Sequence, residues 1–531
     1  MSTQYFADTS STTYLVGGAL LLVYPASLAI YRLFVSPLSN IPGPWYAAVT
    51  DLWLTSHIAR LQQCMTVHKL LEAYGPVVRI GPNRIAFKDM AGVKSVYSVL
   101  KFDKGPSYLK LKTADDADQA MTILEHGPHS ARRRSWASHY TMSSLLRFQP
   151  VMGNAARGLI LAVESVGGRR PVDCLILFRH FTIEVIMSIL FGCHLDVLKD
   201  WSAGKEVAIC EAIGDFPLQV TLRGAVPSWV WYLACRIPHP KWQKIIKADT
   251  TVVEFAQENL NKLRHLADAT KDDGGQVPLI LRLLQYRDPI TGLSTLREKE
   301  IIAEAVGHTI AGTDTTATTL SYLCWELGRR PDIAARLTAE LDGAMDDPTT
   351  IPDMSVLQSL PYLNAFVKEG LRIYGAGPSL LERVAPPANE PFNIAGYTIP
   401  AGTHIATQAS TSIFGLTDNQ LTMFLQSWSL HRDPIIFASP EKFDPERWLA
   451  KDISAMTVNL NPFGFGTRVC GGQNLAQIML RIGVAVIARN FHIEVPPETT
   501  EKSMAIRDAF VIFPAAMECK VRSASTQGCV R

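Results

Sequence analysis

Hydrophobic and polar positions divide the 531-residue chain into zones of different character. Tyr14 to Tyr31, YLVGGALLLVYPASLAIY, runs 18 residues without a charge. That is about the length of a bilayer-spanning helix, and Pro25 within it is tolerable in such a helix. A buried core helix and a cleaved signal peptide are the rival readings. A signal peptide begins with basic residues, and no Lys or Arg precedes Arg32. The first positive charges, Arg32, Arg60 and Lys69, follow the run. The positive-inside rule then places residues 1–13 in the lumen, an anchor over 14–35 and the bulk of the chain in the cytoplasm. Pro37, Pro42, Gly43 and Pro44 make 36–45 a stiff elbow between anchor and globular part.

Beyond the elbow the pattern predicts a helix from Leu61 to Tyr74. Val77 to Phe87 then alternates apolar and polar residues around Gly81-Pro82-Asn83, which predicts a β-hairpin. From about Ala131 to Arg383 the periodicity is helical, interrupted by the polar loop Asp268 to Gln276. Short strands and turns return after Arg383. Leu475, Ile478, Met479, Ile482 and Val486 then mark a helix after Cys470. There is no repeat and no low-complexity tract. The expected fold is mainly α with small β-sheets (α+β), one domain over 46–522 and a tail over 523–531.

Composition narrows the function. The chain is 47% hydrophobic and 19% charged, enough apolar content for a large core. A net charge of +2 gives no electrostatic case for nucleic acid. The nine cysteines are odd in number and scattered, without a C-x-x-C pair, so neither a disulfide framework nor a zinc site is read. This fits a reducing compartment. Cys529 lies third from the end, which excludes a prenylation signal.

The densest chemistry lies in NPFGFGTRVCGGQN, Asn461 to Asn474. Gly464, Gly466, Gly471 and Gly472 permit close backbone approach to something flat or bulky. Cys470 stands at or just before a helix N-terminus, where free N–H groups and the dipole favour a thiolate, with Arg468 as a nearby positive charge. Such a thiolate is a nucleophile or a metal ligand. No local His and acid support the nucleophile. A dinucleotide-binding loop fails because Val469 occupies the third glycine position. A haem ligand fits better, since haem needs a glycine-lined slot, a thiolate and a cation for its propionates.

Phe463-Gly464-x-Gly466-x-Arg468-x-Cys470-x-Gly472 resembles the haem-binding loop of the cytochrome P450 family, the haem-thiolate monooxygenases. The resemblance implies haem b, with Cys470 as its axial ligand, Phe463 near the sulfur and Arg468 on a propionate. AGTDTT, Ala311 to Thr316, resembles the family's oxygen-activation motif. Its mid-helix Gly and Thr residues are poor helix formers that bend helices. Proton delivery by Asp314 and Thr315 is implied, with Gly312 opening room over the haem and Ala311 on the Thr315 face. Glu304 and His308 continue that face, and His308 is either a pocket residue or a packed one. Glu369 and Arg372 resemble the family's E-x-x-R, with Arg447 in FDPERW as third partner in a buried structural cluster. In HSARRRSW, His129 and Arg133 hold the spacing of the family's propionate-binding Trp-x-x-x-Arg, with His in place of Trp.

The resemblance covers about Pro42 to Arg522 and implies the cytochrome P450 fold behind one transmembrane helix. Expected pocket segments are Phe102 to Leu124, the region of Phe216, Ala376 to Leu381, and Phe510 with Val511. The implied reaction is reductive dioxygen activation, inserting one oxygen atom into a lipophilic small molecule. The overall style resembles fungal microsomal enzymes of secondary metabolism, acting on terpenoids, polyketides or indole compounds. With no flavin or nicotinamide site in the chain, the implied electron donor is an NADPH-dependent reductase, with cytochrome b5 as a second candidate. The implied location is the endoplasmic reticulum membrane. A haem-thiolate isomerase or dehydratase and a non-catalytic haem-binding protein are the rival functions. Ser410 to Ser427, between PAGTHIATQA and WSLHRDP, follows no family pattern. It reads as a surface insertion or, preferably, as a retained short intron.

Overall fold

The computed structural model describes residues 23–114, 116–205, 207–267, 276–287, 292, 296–378, 381–385, 392–399, 422–425 and 427–526. Residues 1–22 of the lumenal segment and expected anchor, loop residues 268–275, and residues 410–421 and 426 of the anomalous stretch lie outside them. The described part of the expected anchor is the apolar helix α1, Val23–Val35. The elbow after it does not stand free of the domain. Leu38 and Ile41 are buried in it, and the buried Arg79 guanidinium donates to the carbonyls of Arg32, Gly81 and Pro82 at 2.8, 3.3 and 2.7 Å.

The expected hairpin forms from β1, Val77–Gly81, and β2, Arg84–Phe87, paired antiparallel. They open a five-stranded sheet completed by β3, Asp103–Lys104, β4, Leu381–Val384, and β5, Thr422–Leu425. The order is β1-β2-β5-β4-β3. β5 runs parallel to β2, Arg84 facing Thr422, and antiparallel to β4. Of the stretch read as a surface insertion or retained intron, Thr422–Leu425 is no surface loop but the middle strand of this sheet. The reason is local, since TMFL is a short apolar run suited to a strand covered on both faces. Met423 is fully buried among residues that include Val77, Ile85 and Phe87.

The rest is mainly helical, as its periodicity predicts. The helix expected at Leu61 to Tyr74 spans Gln63–Tyr74. Helix α2, His126–Arg134, carries the HSARRR segment. Helix α3, Cys174–Phe191, is apolar on nearly every side and lies in the core, 89% buried; a helix without a polar face needs such cover or a bilayer. Helix α4, Ala208–Ala225, is followed by α5, Ser228–Ala234, which buries none of its residues. Helix α6, Glu298–Arg329, is about 48 Å long at 1.5 Å per residue. It starts at a reciprocal cap in which the Arg297 N–H donates to Glu300 at 2.9 Å.

Helix α6 runs α-helical without a break through AGTDTT. The hydroxyls of Thr309 and Thr315 donate back to the Ala305 and Ala311 carbonyls, both at 2.7 Å, without displacing the helix bonds. Helix α7, Pro361–Tyr374, carries E-x-x-R. Helix α8, Gln473–Asn490, follows the cysteine loop and buries Leu475, Ile478, Met479, Ile482 and Val486. Strands β6, Ile506–Ala509, and β7, Val511–Pro514, form an antiparallel hairpin near the C-terminus.

Candidate active site around Cys470

The cysteine loop is shaped by backbone that only glycine tolerates well. Gly464 and Gly466 have φ of 78° and 66°. A Cβ on Gly466 would meet the Tyr97 carbonyl oxygen at 2.1 Å, and one on Gly471 would strike the Trp136 ring at 2.4 Å. The Cys470 N–H donates to Phe463 O at 2.9 Å. Gly472 caps α8 and has nothing within 4 Å of a built Cβ. Cys470 itself is exposed, yet burial is the main influence on its thiol and raises its pKa. Both hold together when the sulfur opens onto a hollow walled by protein. The Gly472 N–H and Arg133 act in the opposite direction. Arg468 is not among the influences on the thiol; its guanidinium donates to Ile123 O and Leu124 O at 3.0 and 2.6 Å.

Beside the loop lies a cluster of basic side chains, with Lys104, Arg383 and His129 buried and His126, Arg133 and Arg468 half-buried. Burial pushes His129 down to about 2, reinforced by Arg468, Lys104, Arg133 and His126. Lys104 is held well below its usual value by burial and then by Arg468, Arg383 and Arg133, with Glu304 opposing. Arg468 falls to about 10 through burial and Arg383, with Asp103 opposing. His129 Nδ1 and Arg468 Nε have no hydrogen-bond partner among the described residues. Arg133 donates to Val469 O, and Lys104 donates to Ala120 O and Met121 O at 3.1 and 2.7 Å.

Across the wall, α6 presents the AGTDTT segment. Ala311 is exposed in mid-helix and Thr315 half-buried, while Thr313, Asp314 and Thr316 are buried. Asp314 is engaged by Arg179 of α3 at 2.8 and 3.0 Å. Gly312 does not open onto the hollow as expected: a Cβ there would meet Ile186 of α3 at 2.4 Å. Its small size serves the α3–α6 contact. His308 is half-buried and packed, bracketed by Tyr140, Trp136 and Glu304. Glu304 accepts the Ala120 N–H at 2.7 Å and pairs with Arg132 at 3.1 Å, so it ties the 116–124 loop to α6.

Behind the loop, the fully buried Glu369 gathers Arg372, Arg447 and Trp448. Arg372 donates at 2.8 and 2.9 Å, Arg447 at 3.1 Å and the Trp448 indole at 2.9 Å. Of the expected pocket segments, Phe510 is partly exposed at the tip of the β6–β7 hairpin. The Ile512 N–H donates to Ala376 O at 2.9 Å, fixing the hairpin on that segment. Phe216 is buried in the main core.

Comparison with known proteins decides the family. The cytochrome P450 family profile matches residues 42–412 and 418–521. The chain belongs to the cytochrome P450 family. The break at 413–417 falls within the anomalous stretch. Among similar curated proteins, the cytochrome P450 monooxygenase aflV of Aspergillus parasiticus is 28% identical over 516 residues, covering 96% of this chain and 95% of that protein. The cytochrome P450 monooxygenase cypX of Dothistroma septosporum is 28% identical over 524 residues, with the same coverages. N-acetyltryptophan 6-hydroxylase ivoC of Emericella nidulans is 29% identical over 521 residues, covering 92% and 93%.

This cytochrome P450 is thus a monooxygenase of the fungal secondary-metabolism kind, and its family binds haem b through a cysteine thiolate. The residues present fit that group: Cys470 is exposed, and Lys104, Arg133, Arg383 and Arg468 beside it hydrogen-bond to no carboxylate among the described residues. The sequence reading missed Lys104, Arg383 and His126 in this cluster. Arg383, between Glu382 and Val384 in SLLERVA, carried a signal, since a charge in a short strand bounded by apolar residues needs a partner. Lys104 lies inside a loop expected to line the pocket, and its own role had no separate signal. Arg179 had none either, because its pairing with Asp314 joins helices 135 positions apart.

Proposed function

We propose that the chain is a membrane-anchored monooxygenase that inserts one oxygen atom from dioxygen into a lipophilic secondary metabolite of terpenoid, polyketide or indole type. Electrons are supplied by an NADPH-dependent reductase, with cytochrome b5 as a second donor. Cys470 is the axial haem ligand, and Phe463, Gly464, Gly466 and Gly472 shape the slot around it. Arg133, His129 and Arg468, joined by Lys104 and Arg383, receive the propionates. The observation that carries this reading is the exposed Cys470 beside Lys104, Arg133, Arg383 and Arg468, which hydrogen-bond to no carboxylate among the described residues. Two carboxylates brought by a cofactor would relieve the repulsion among these cations.

When bound, haem supplies the activation of dioxygen and the electron-rich thiolate bond that favours O–O cleavage. The protein's own residues hold and move protons around it. Thr315 places a hydroxyl at the hollow, and Asp314, paired with Arg179, is the acid that restores protons to it. Glu369, Arg372 and Arg447 fix the backbone leading to the cysteine loop. The name of ivoC supports an aromatic, indole-bearing substrate as one option, and the exposed Phe510 ring supports an apolar ligand.

Membrane attachment at the endoplasmic reticulum is supported by the exposed apolar residues Ile30, Tyr31, Phe34 and Val35 of α1, together with Trp45 and Leu52. Trp229, Tyr232, Leu233 and Ile237, on and after α5, are exposed as well. The test is the absorption spectrum of the reduced, carbon monoxide-treated protein. The strongly red-shifted Soret band of a thiolate-ligated haem is expected in the full chain and lost in Cys470→Ser. Its absence from the intact chain overturns the proposal. Turnover dependent on added reductase and NADPH separates it from an isomerase or dehydratase.

A further inference from the structure

The wall between the cysteine loop and α6 holds a hydrogen-bonded pair with no part in the roles above. Tyr140 Oη lies 3.0 Å from His308 Nδ1. The two rings stack with centroids 5.4 Å apart and planes at 16°. On the other side of the imidazole, Nε2 has no hydrogen-bond partner among the described residues and lies 3.5 Å from a Glu304 carboxylate oxygen. Phenol and carboxylate thus bracket one imidazole. Nδ1 is placed to accept the phenol proton, with an Nε2–H facing Glu304. Trp136 stands edge-on to both partners, 5.8 Å from Tyr140 and 5.1 Å from His308. The same indole is what a Cβ on Gly471, next to Cys470, would meet. Trp136, Tyr140 and Glu304 are all buried.

Acid–base chemistry is closed to this phenol. Burial, then the negative charges of Cys470 and Glu304, push its pKa far above the ordinary tyrosine value. The Glu304 charge favours removing an electron, and a phenol that loses an electron and a proton together ends neutral. The imidazolium formed lies beside Glu304, whose charge stabilises it. Arg132, paired with both Glu304 and Glu300, opposes this in part. Trp136 cannot play Tyr140's part, because its buried indole N–H has no acceptor among the described residues to take the proton. It can only pass the electron vacancy onward.

We propose that Tyr140, with His308 as its proton acceptor and Trp136 as the intermediate step, is a one-electron donor to the haem site. The inference rests on the haem-thiolate reading above. When oxidising equivalents generated at the haem meet no substrate, Tyr140 gives up one electron. Its O–H bond breaks and an N–H bond forms at His308 Nδ1. The haem site gains the electron, and a neutral phenoxyl radical and an imidazolium–carboxylate pair remain. The device directs an unused oxidant to a defined residue rather than to the cysteine loop.

The test mixes the substrate-free ferric holoenzyme with peracetic acid, freezes it within milliseconds and records electron paramagnetic resonance spectra. A tyrosyl signal that narrows with ring-deuterated tyrosine is expected. Tyr140→Phe is expected to lose it, and a signal retained in a loaded Tyr140→Phe protein overturns the inference, as does a wild type without one. His308→Leu provides a second arm if Tyr140→Phe does not load haem. The tyrosyl signal must then shift, at high field, to that of a phenoxyl without a hydrogen bond, and an unshifted signal overturns the inference. Each preparation is first examined for its carbon monoxide Soret band. A missing thiolate band in the wild type overturns the reading beneath the inference instead.

Discussion

Glu369→Ala isolates what one carboxylate contributes to the proximal side. Glu369 is fully buried. It accepts hydrogen bonds from Arg372 at two nitrogens, from Arg447, from the Trp448 indole and from the Asp444 N–H at 3.0 Å. Truncation leaves the fully buried Arg372 charge without a counter-ion. Arg372 keeps only the carbonyls of His431 at 2.8 Å and Lys442 at 3.3 Å. Breaking a buried pair from one side costs about 3–5 kcal/mol. That is a large share of the roughly 5–15 kcal/mol that holds a domain folded. It lowers the folded-to-unfolded ratio by about two to three and a half orders of magnitude, since about 1.4 kcal/mol is tenfold.

The loss falls on the segment leading to the cysteine loop, because His431 also accepts the Asn461 N–H on its Nε2 at 2.9 Å. The expected result is protein that retains little haem and is digested readily by protease. Haem per chain and the urea midpoint are the measurements. Glu369→Gln keeps the shape and loses the charge, so it should be nearly as damaging. If Glu369→Ala loads haem normally and unfolds within about 1 kcal/mol of wild type, the buried-charge reasoning is refuted.

Further outcomes follow from the same physical logic. Lys104→Met should leave the haem-free protein as stable or more so, because it removes a cation crowded by Arg468, Arg383 and Arg133, while weakening haem retention. Thermal unfolding of apo and loaded protein checks for these opposite signs, and equal signs refute the propionate role. Asp508 is raised from 3.8 to about 6, mainly by burial. The native state therefore binds the extra proton between those values, and its stability falls as pH rises through that window. Asp508→Asn should gain on wild type by up to about 3 kcal/mol between pH 4 and pH 6.5; a flat difference in urea titrations contradicts it. Met423→Asp puts a charge into the middle strand of the sheet and should abolish soluble protein. Normal expression would show that Thr422–Leu425 is dispensable, and would favour the retained-intron reading of 410–427, which transcript sequencing tests directly.

What the sequence disclosed was local. The hairpin at Val77–Gly81 and Arg84–Phe87, the apolar spacing of helix Gln473–Asn490 after Cys470 and the E-x-x-R pair all lie within a few residues of their own signal. Glu369 and Arg372 are three apart on one helix, so spacing alone placed them together. Gly312 was legible as small but not as to what it faces, since only the packing of α3 shows Ile186 against it. Arg468 was legible as a cation beside Cys470, but its direction depended on carbonyls of a loop over 300 residues away. The helix of AGTDTT stays unbroken because its threonine hydroxyls bond back to carbonyls one turn earlier without opening the helix. Propensity there was overridden by a long helix held on several sides in the core.

The cation cluster shows why such a site resists reading from sequence. Each member looks unremarkable in its own segment: Lys104 and Arg383 in short strands, Arg133 on a helix beside an uncharged His129, and Arg468 in a turn. Only folding brings them together, and folding alone gives no reason for it, because like charges buried side by side oppose the compact state. A chain that gives up stability in this way at one place leaves a role for a partner that restores it. The open thiol of Cys470 lies at the same place and also awaits a partner. Two carboxylate arms and one thiol-seeking metal centre on a single flat group meet both demands at once, whereas a free anion would meet only the first. Binding of that group should therefore stabilise the whole domain by mass action. The unfolding temperature of haem-free protein should rise with added haem in wild type, and rise less in Lys104→Met.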